Sequence, residues 1–157
     1  MTVEIVKRGP VLTEEKLANF ENNNQLKLPE DYKSFMLQYN GGKPVPCDFP
    51  LIGHREESSD VVVFYGVDYE LKALELQKNF DSIIGYFADP AFDKFFPIAN
   101  DSFNDLICLD LSDEHYGAVV FIDRVPMWKD YTAKEIYVIA DSFSAFLDML
   151  YEVEYDD

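Results

Sequence analysis

The chain has 157 residues, 48% hydrophobic and 15% aromatic, enough to build a core without staples and too apolar for a disordered chain. Thirteen Lys+Arg against 30 Asp+Glu leave a formal net charge of −17, which repels nucleic-acid phosphates and anionic membranes. Such a field draws basic partners inward, although acidity also serves solubility alone.

Thr13 suits a helix N-cap, with Glu14 and Glu15 in the first turn and Leu17, Ala18 and Phe20 giving a short helix that Asn22 to Asn24 end. The stretch from Leu28 to Gly42 reads as a second, complete amphipathic helix. Pro29 fits its first position, and Glu30 and Asp31 face the positive end of its dipole. Tyr32, Phe35, Met36 and Tyr39 recur at helical spacing on one stripe, and Asn40, Gly41 and Gly42 tolerate the left-handed backbone that stops a helix. Lys43 to Ser59, with three prolines and Gly53, reads as a long loop with one short edge strand near Phe49 to Ile52.

Val61 to Tyr65 is β-branched and apolar, a buried strand. Asp68 is placed to cap a helix carrying Leu71, Leu74 and Phe80, and Asp81 to cap another with Ile83, Ile84 and Phe87. Phe95 to Ala99 is a strand whose Pro97 suggests an edge or bulge. Leu106 to Leu111 and Ala118 to Asp123 form an antiparallel hairpin around a turn-rich loop, and Ile136 to Ile139 is a last strand. Asp141 is placed to cap a closing helix bearing Phe143, Phe146, Leu147 and Leu150. Runs of neighbouring strands favour an α+β fold: a mostly antiparallel mixed sheet of about five strands packed with N-terminal helices and a C-terminal helix. One domain spanning residues 1–157 is expected, with an acidic, frayed end at residues 152–157.

Several of these segments resemble the SUKH superfamily, which groups fungal cell-wall-synthesis regulators with bacterial immunity proteins of polymorphic toxin systems. The leucine-proline, tyrosine, phenylalanine and asparagine-glycine-glycine spacing over Leu28 to Gly42 resembles its opening signature. Phe64 to Gly66 resembles its central strand end, Phe96 to Asp101 its proline-isoleucine-alanine strand and turn, and Leu106 to Asp110 the next strand. Ile139 to Phe143 with Phe146 and Leu147 looks like its closing helix. Where the family usually has glycine after the aspartate turn, this chain runs Asn100-Asp101-Ser102-Phe103-Asn104-Asp105, and Asn104 is expected to take the left-handed conformation instead. The resemblance implies an immunity protein that binds and neutralises a toxin, often a nuclease; its other branch implies a regulatory scaffold related to cell-wall assembly regulators.

Motifs for chemistry are missing. There is no nucleophile elbow, phosphate loop or dinucleotide fingerprint, and Cys47 and Cys108 are far apart without a second nearby thiol. Cys108 is expected to be a small core residue. Asp110, Asp113, Glu114 and His115 offer oxygen and nitrogen ligands, but without calcium-loop or zinc spacing they read as a solvated turn. His54 sits in a charged loop. No catalytic residue, metal or cofactor is expected, and a small hydrolase built on the Asp110 to His115 loop is the remote enzymatic alternative.

Met1 to Val11 is not a signal peptide and no stretch reaches membrane-span length, so a cytoplasmic protein is expected. The partner is expected to be a protein, a basic cognate toxin, with no nucleic acid and no membrane involved. The face assigned to it comprises Asp68, Glu70, Asp110, Asp113, Glu114, His115, Tyr116 and Trp128. Trp128 reads either as an interface anchor or as a lid folded over the core.

Overall fold

Apolar runs with both neighbours buried are the mark of strands covered on two faces, and Leu106 to Asp110 and Val119 to Ile122 are buried at every position. In the computed structural model, which describes residues 3–53, 57–86, 94–123 and 135–153, these runs are central strands of one sheet. Its five strands are β5 (Val63–Phe64), β6 (Phe95–Asn100), β7 (Leu106–Asp110), β8 (Val119–Asp123) and β9 (Glu135–Ala140). They lie in sequence order, each antiparallel to the next. The fold is α+β, and the expected sheet of about five, mostly antiparallel strands has five strands, antiparallel throughout. The register shifts between Pro97 and Ala99, the irregularity that proline in a strand calls for.

One face of the sheet meets α1 (Glu14–Asn24), α2 (Glu30–Tyr39) and α4 (Phe143–Met149). Phe96, Leu109 and Phe121 from the sheet share a core with Leu17, Tyr32, Phe35, Phe143 and Phe146 from the helices. Aromatic rings interlock there: Tyr32 and Phe143 have centroids 5.2 Å apart, Phe35 and Phe64 5.1 Å. Edge-on packing of this kind adds to the area term of burial. The opposite face carries a second cluster, Leu106, Cys108, Val120 and Ile122, with Phe80 from α3 (Leu76–Tyr86) packed against it. Cys108 is thus a core residue, as its apolar strand implied.

Tyr32 is the weak point of that core. Its hydroxyl is buried with no hydrogen-bond partner among the described residues, and burial pushes its phenol far above the ordinary range. An unsatisfied buried hydroxyl costs about 1–3 kcal/mol. Tyr32→Phe is therefore expected to stabilise the protein by about 1 kcal/mol in a denaturant titration, and a clear loss of stability would show that the hydroxyl has a partner.

Asn40 joins three segments. It follows α2 in the left-handed conformation, φ 50°, and is 2% exposed. Its amide donates to the carbonyls of Pro10 and Val67 at 2.8 Å each and accepts the Val67 N–H at 2.8 Å. Gly41 at φ 88° then passes so close to the next segment that a Cβ would meet the Phe64 carbonyl oxygen at 2.6 Å. The asparagine-glycine-glycine element is a helix stop, and also the clamp that holds the N-terminal segment, α2 and β5 together.

Several local readings are corrected. Pro29 is the N-cap of α2 rather than its first helical residue. The loop from Lys43 to Ser59 holds more than the one edge strand expected near Phe49 to Ile52: β2 (Lys43–Val45) pairs with β1 (Glu4–Val6), and β3 (Asp48–Pro50), close to that expectation, with β4 (Ser58–Asp60). Asp68 caps no helix; it stands at φ 61°, followed by one 3-10 turn at Lys72–Leu74. The cap of α3 comes from Glu75, whose carboxylate accepts the Lys78 N–H at 3.1 Å. Asp81 lies inside α3, so one helix replaces two; the side chains of Ile83 and Ile84, and Phe87, fall outside the described residues. Ser142, not Asp141, caps α4 by accepting the Ala145 N–H at 3.1 Å, and Asp31 accepts the Ser144 N–H at 2.9 Å. Asn104 is left-handed, φ 65°, as the missing glycine required.

Candidate protein-interaction face

Of the positions singled out in the sequence, Asp68, Asp113 and Tyr116 line clefts along the seam between α1 and α3. Asn24 and Gln77 close that seam with a reciprocal amide pair, 2.8 Å in both directions. A cleft opens on each side of it. One, of about 360 Å³, is lined by Lys16, Asn19, Phe20, Asn23, Val67, Asp68, Glu75 and Gln77. The other, of about 350 Å³, is lined by Asn24, Gln25, Leu26, Lys27, Phe80, Lys94, Phe95, Leu111, Asp113 and Tyr116. Asp68 therefore belongs to one cleft, where it pairs with Lys16 in the first turn of α1, and Asp113 with Tyr116 to the other, beside Asn24 at the end of that helix.

Asp68 and Glu70 are exposed. Asp68 pairs with Lys16 at 3.3 Å, an ion pair open to solvent and so worth little to stability. Its backbone N–H donates to the Glu75 carboxylate at 3.0 Å, which fixes the bend leading into α3.

The β7–β8 loop is built differently along its length. Asp110 is 8% exposed, and its carboxylate accepts the Ser112 N–H at 2.9 Å. Its backbone closes the hairpin, its N–H donating to the Ala118 carbonyl and its carbonyl accepting from Gly117, both at 2.8 Å. Asp110 thus shapes the loop rather than projecting from it. Asp113, Glu114, His115 and Tyr116 are exposed. The Tyr116 hydroxyl donates to the Lys27 carbonyl at 2.7 Å, tying the loop to the connection between α1 and α2. Burial, followed by the charge of Glu21, raises the Tyr116 phenol, so it stays neutral and able to donate at any physiological pH.

Trp128 and His54 lie outside the described residues. Sequence reading missed Lys27, Lys94 and Phe80 as cleft-lining groups, since nothing in their local sequence connects them. It also missed the closest set of possible metal ligands. Among the described residues, Cys47, Asp48 and Asp60 bring ligand atoms within 4.8 Å of one another, whereas the Asp110 to His115 loop assembles no such set. Asp60 is already held by Ser102, whose N–H donates to it at 3.0 Å, and Asp48 by the Val153 N–H.

An antiparallel five-strand meander with α1, α2 and α4 on one face, α3 on the other and open clefts at a helix seam defines an α+β domain. The chain belongs to the SMI1 / KNR4 family (SUKH-1), whose pattern matches residues 11–149. It is 26% identical over 163 residues to the SPbeta prophage-derived uncharacterized protein YokK of Bacillus subtilis (strain 168), an alignment covering 93% of this chain and 78% of that protein. It is 34% identical over 55 residues to Immunity protein RhsIB of Dickeya dadantii (strain 3937), covering 35% of this chain and 30% of that one. No solved structure matches the chain at a significant level. Among the described residues, no helix is long and apolar enough to cross a membrane.

Proposed function

We propose that this protein is an immunity protein: a non-catalytic binder, one domain over residues 1–157, that holds a cognate toxin domain in a stoichiometric complex and so silences it. The observation that carries this reading is membership of the SMI1 / KNR4 family together with the 34% identical segment shared with Immunity protein RhsIB. The net charge of −17 supports it, because a nuclease-type toxin must present a basic cleft to its substrate and an acidic protein can fill that cleft. Exposed Asp68, Glu70, Asp113 and Glu114, with His115 and Tyr116 beside two clefts, supply carboxylates on fixed backbone. Asp110 supports that face from beneath. Two free cysteines suit a reducing cytoplasm.

The test takes a candidate toxin domain sought among the neighbouring genes, purified and titrated with this protein. A one-to-one complex and loss of toxin activity are expected. Joint replacement of Asp68, Glu70, Asp113 and Glu114 by lysine should slow association by at least about tenfold at low salt. No complex, or an association rate indifferent to both salt and charge reversal, would overturn the reading.

A further inference from the structure

Phe103 sits at the tip of the β6–β7 turn with 76% of its surface exposed. A single exposed apolar residue needs no explanation by itself; what sets this one apart is the way its backbone is held. Asp101, buried beneath it, accepts the N–H of Phe103 at 3.0 Å, the N–H of Asp105 at 2.8 Å and the Ser59 hydroxyl at 2.6 Å. Ser102 donates both its N–H, at 3.0 Å, and its hydroxyl to the Asp60 carboxylate. Asn104 closes the turn with its N–H on the Asp101 carbonyl at 3.0 Å. The residues on either side of Phe103 are thus tied to β4 and to the turn itself, which fixes the backbone that presents the ring.

The surroundings are anionic. Asp48 and Asp60 stand directly opposite each other across β3 and β4, an arrangement of like charges that costs stability. Asp105 precedes Leu106, whose partner Ile122 precedes Asp123, so two more carboxylates flank the same end of the sheet. None of the three ion pairs found among the described residues involves Asp48, Asp60 or Asp101.

We propose that the Phe103 turn is an anchor point for the basic partner, taking arginine side chains from that protein's surface. A guanidinium stacks on an aromatic face while its N–H groups reach a carboxylate beside the ring; here Phe103 supplies the ring and Asp60, held by the adjacent Ser102, the carboxylate next to the turn. A second copy of this chain fits poorly, since it brings the same negative charge. The proposal rests on the reading of this protein as a binder of a basic partner, and adds a surface that lies outside the clefts at the α1–α3 seam.

The experiment uses the full chain, isotopically labelled, titrated with a peptide of alternating arginine and glycine at low and high salt. The largest shifts are expected in the Phe103 ring and the amides of Ser102 to Asn104. Phe103→Ala should weaken peptide binding about two- to fivefold, and Phe103→Trp should retain or strengthen it. Against the toxin domain, where the ring is desolvated, the loss in Phe103→Ala should reach about 30-fold. Both substitutions sit at an exposed position, and circular dichroism confirms their fold.

Shifts centred on Asp68 or Asp113 to Tyr116, shifts spread evenly over the surface, or an unchanged affinity in Phe103→Ala would overturn the anchor while leaving the immunity reading intact. Self-association abolished by Phe103→Ala would overturn it in favour of a second copy. Failure of both peptide and toxin to bind at low salt would remove the immunity reading itself.

Discussion

Asn40→Ala is expected to lower the unfolding free energy by about 4 kcal/mol. The side chain makes three hydrogen bonds with backbone groups of Pro10 and Val67, each worth about 1 kcal/mol net. Alanine supplies none of them, and the Val67 N–H, bonded in the interior, is left without its acceptor at a further desolvation cost. The left-handed φ of 50° adds about 1 kcal/mol, because asparagine tolerates that region and alanine does not. For a domain of this size the loss corresponds to a fall of roughly 8–16 °C in Tm. Asn40→Asp makes the comparison sharper: it keeps the acceptor for Val67 but replaces two donated hydrogen bonds with a carboxylate facing two carbonyl oxygens. It should therefore be no better than alanine. A loss under about 1 kcal/mol in either variant would mean that the three segments are held together by packing alone.

Asp101→Ala is expected to cost about 3 kcal/mol and to loosen the Phe103 turn. Three donors converge on this carboxylate, and hydrogen bonds to a charged acceptor exceed neutral ones. The gain is less than their sum because burial opposes the charge. Burial raises the Asp101 carboxyl above its ordinary value, outweighing the Ser59 hydroxyl and the Asp105 and Phe103 N–H groups, with the charge of Asp60 adding to the rise. Asp48 is raised as well, by burial first and then by Asp60.

The direction in pH follows. A carboxyl whose folded pKa exceeds its unfolded one binds its proton earlier in the native state. Its contribution is complete below the unfolded value and is lost as pH rises through the folded value. Acidification from neutral pH should then raise Tm before ordinary acid unfolding sets in, and relief of repulsion among 30 acidic side chains acts the same way. Asp101→Asn removes one titrating group and should flatten that rise, which thermal melts across the acid range would show. A Tm that falls steadily from neutral pH would contradict the assignment.

The parts of the fold readable in advance were those where apolar spacing and burial coincide. Tyr32, Phe35 and Met36 face the core from one stripe of α2, and the strands from Phe95 to Ala140 announce themselves by unbroken apolar runs. Strands β1, β2 and β4 left no such trace, and β3 only the short edge strand expected near Phe49 to Ile52. Each is three residues long and is defined by backbone pairing, to which side-chain periodicity is blind. Helix starts were misassigned at Asp68, Asp81 and Asp141 for a related reason: aspartate serves caps, left-handed bends and helix surfaces alike, and only the position of the following N–H groups tells these roles apart.

The sequence by itself determined the α+β class, the apolar stripes that build the core, the acidic charge and the family, since all depend on composition, spacing and short ordered motifs. Tertiary structure alone decided that Asn40 is a clamp, that Asp110 turns inward while Asp113 to Tyr116 project, and that Asp68 and Asp113 line separate clefts along α1. It likewise decided that Asp101 and Asp60 pin Phe103 in the open. The Asn40 clamp and the ties from Ser59 to Asp101 and from Asp60 to Ser102 join residues 27 to 42 positions apart. Their energies come from buried hydrogen bonds and opposed charges that exist only after the chain has folded back on itself.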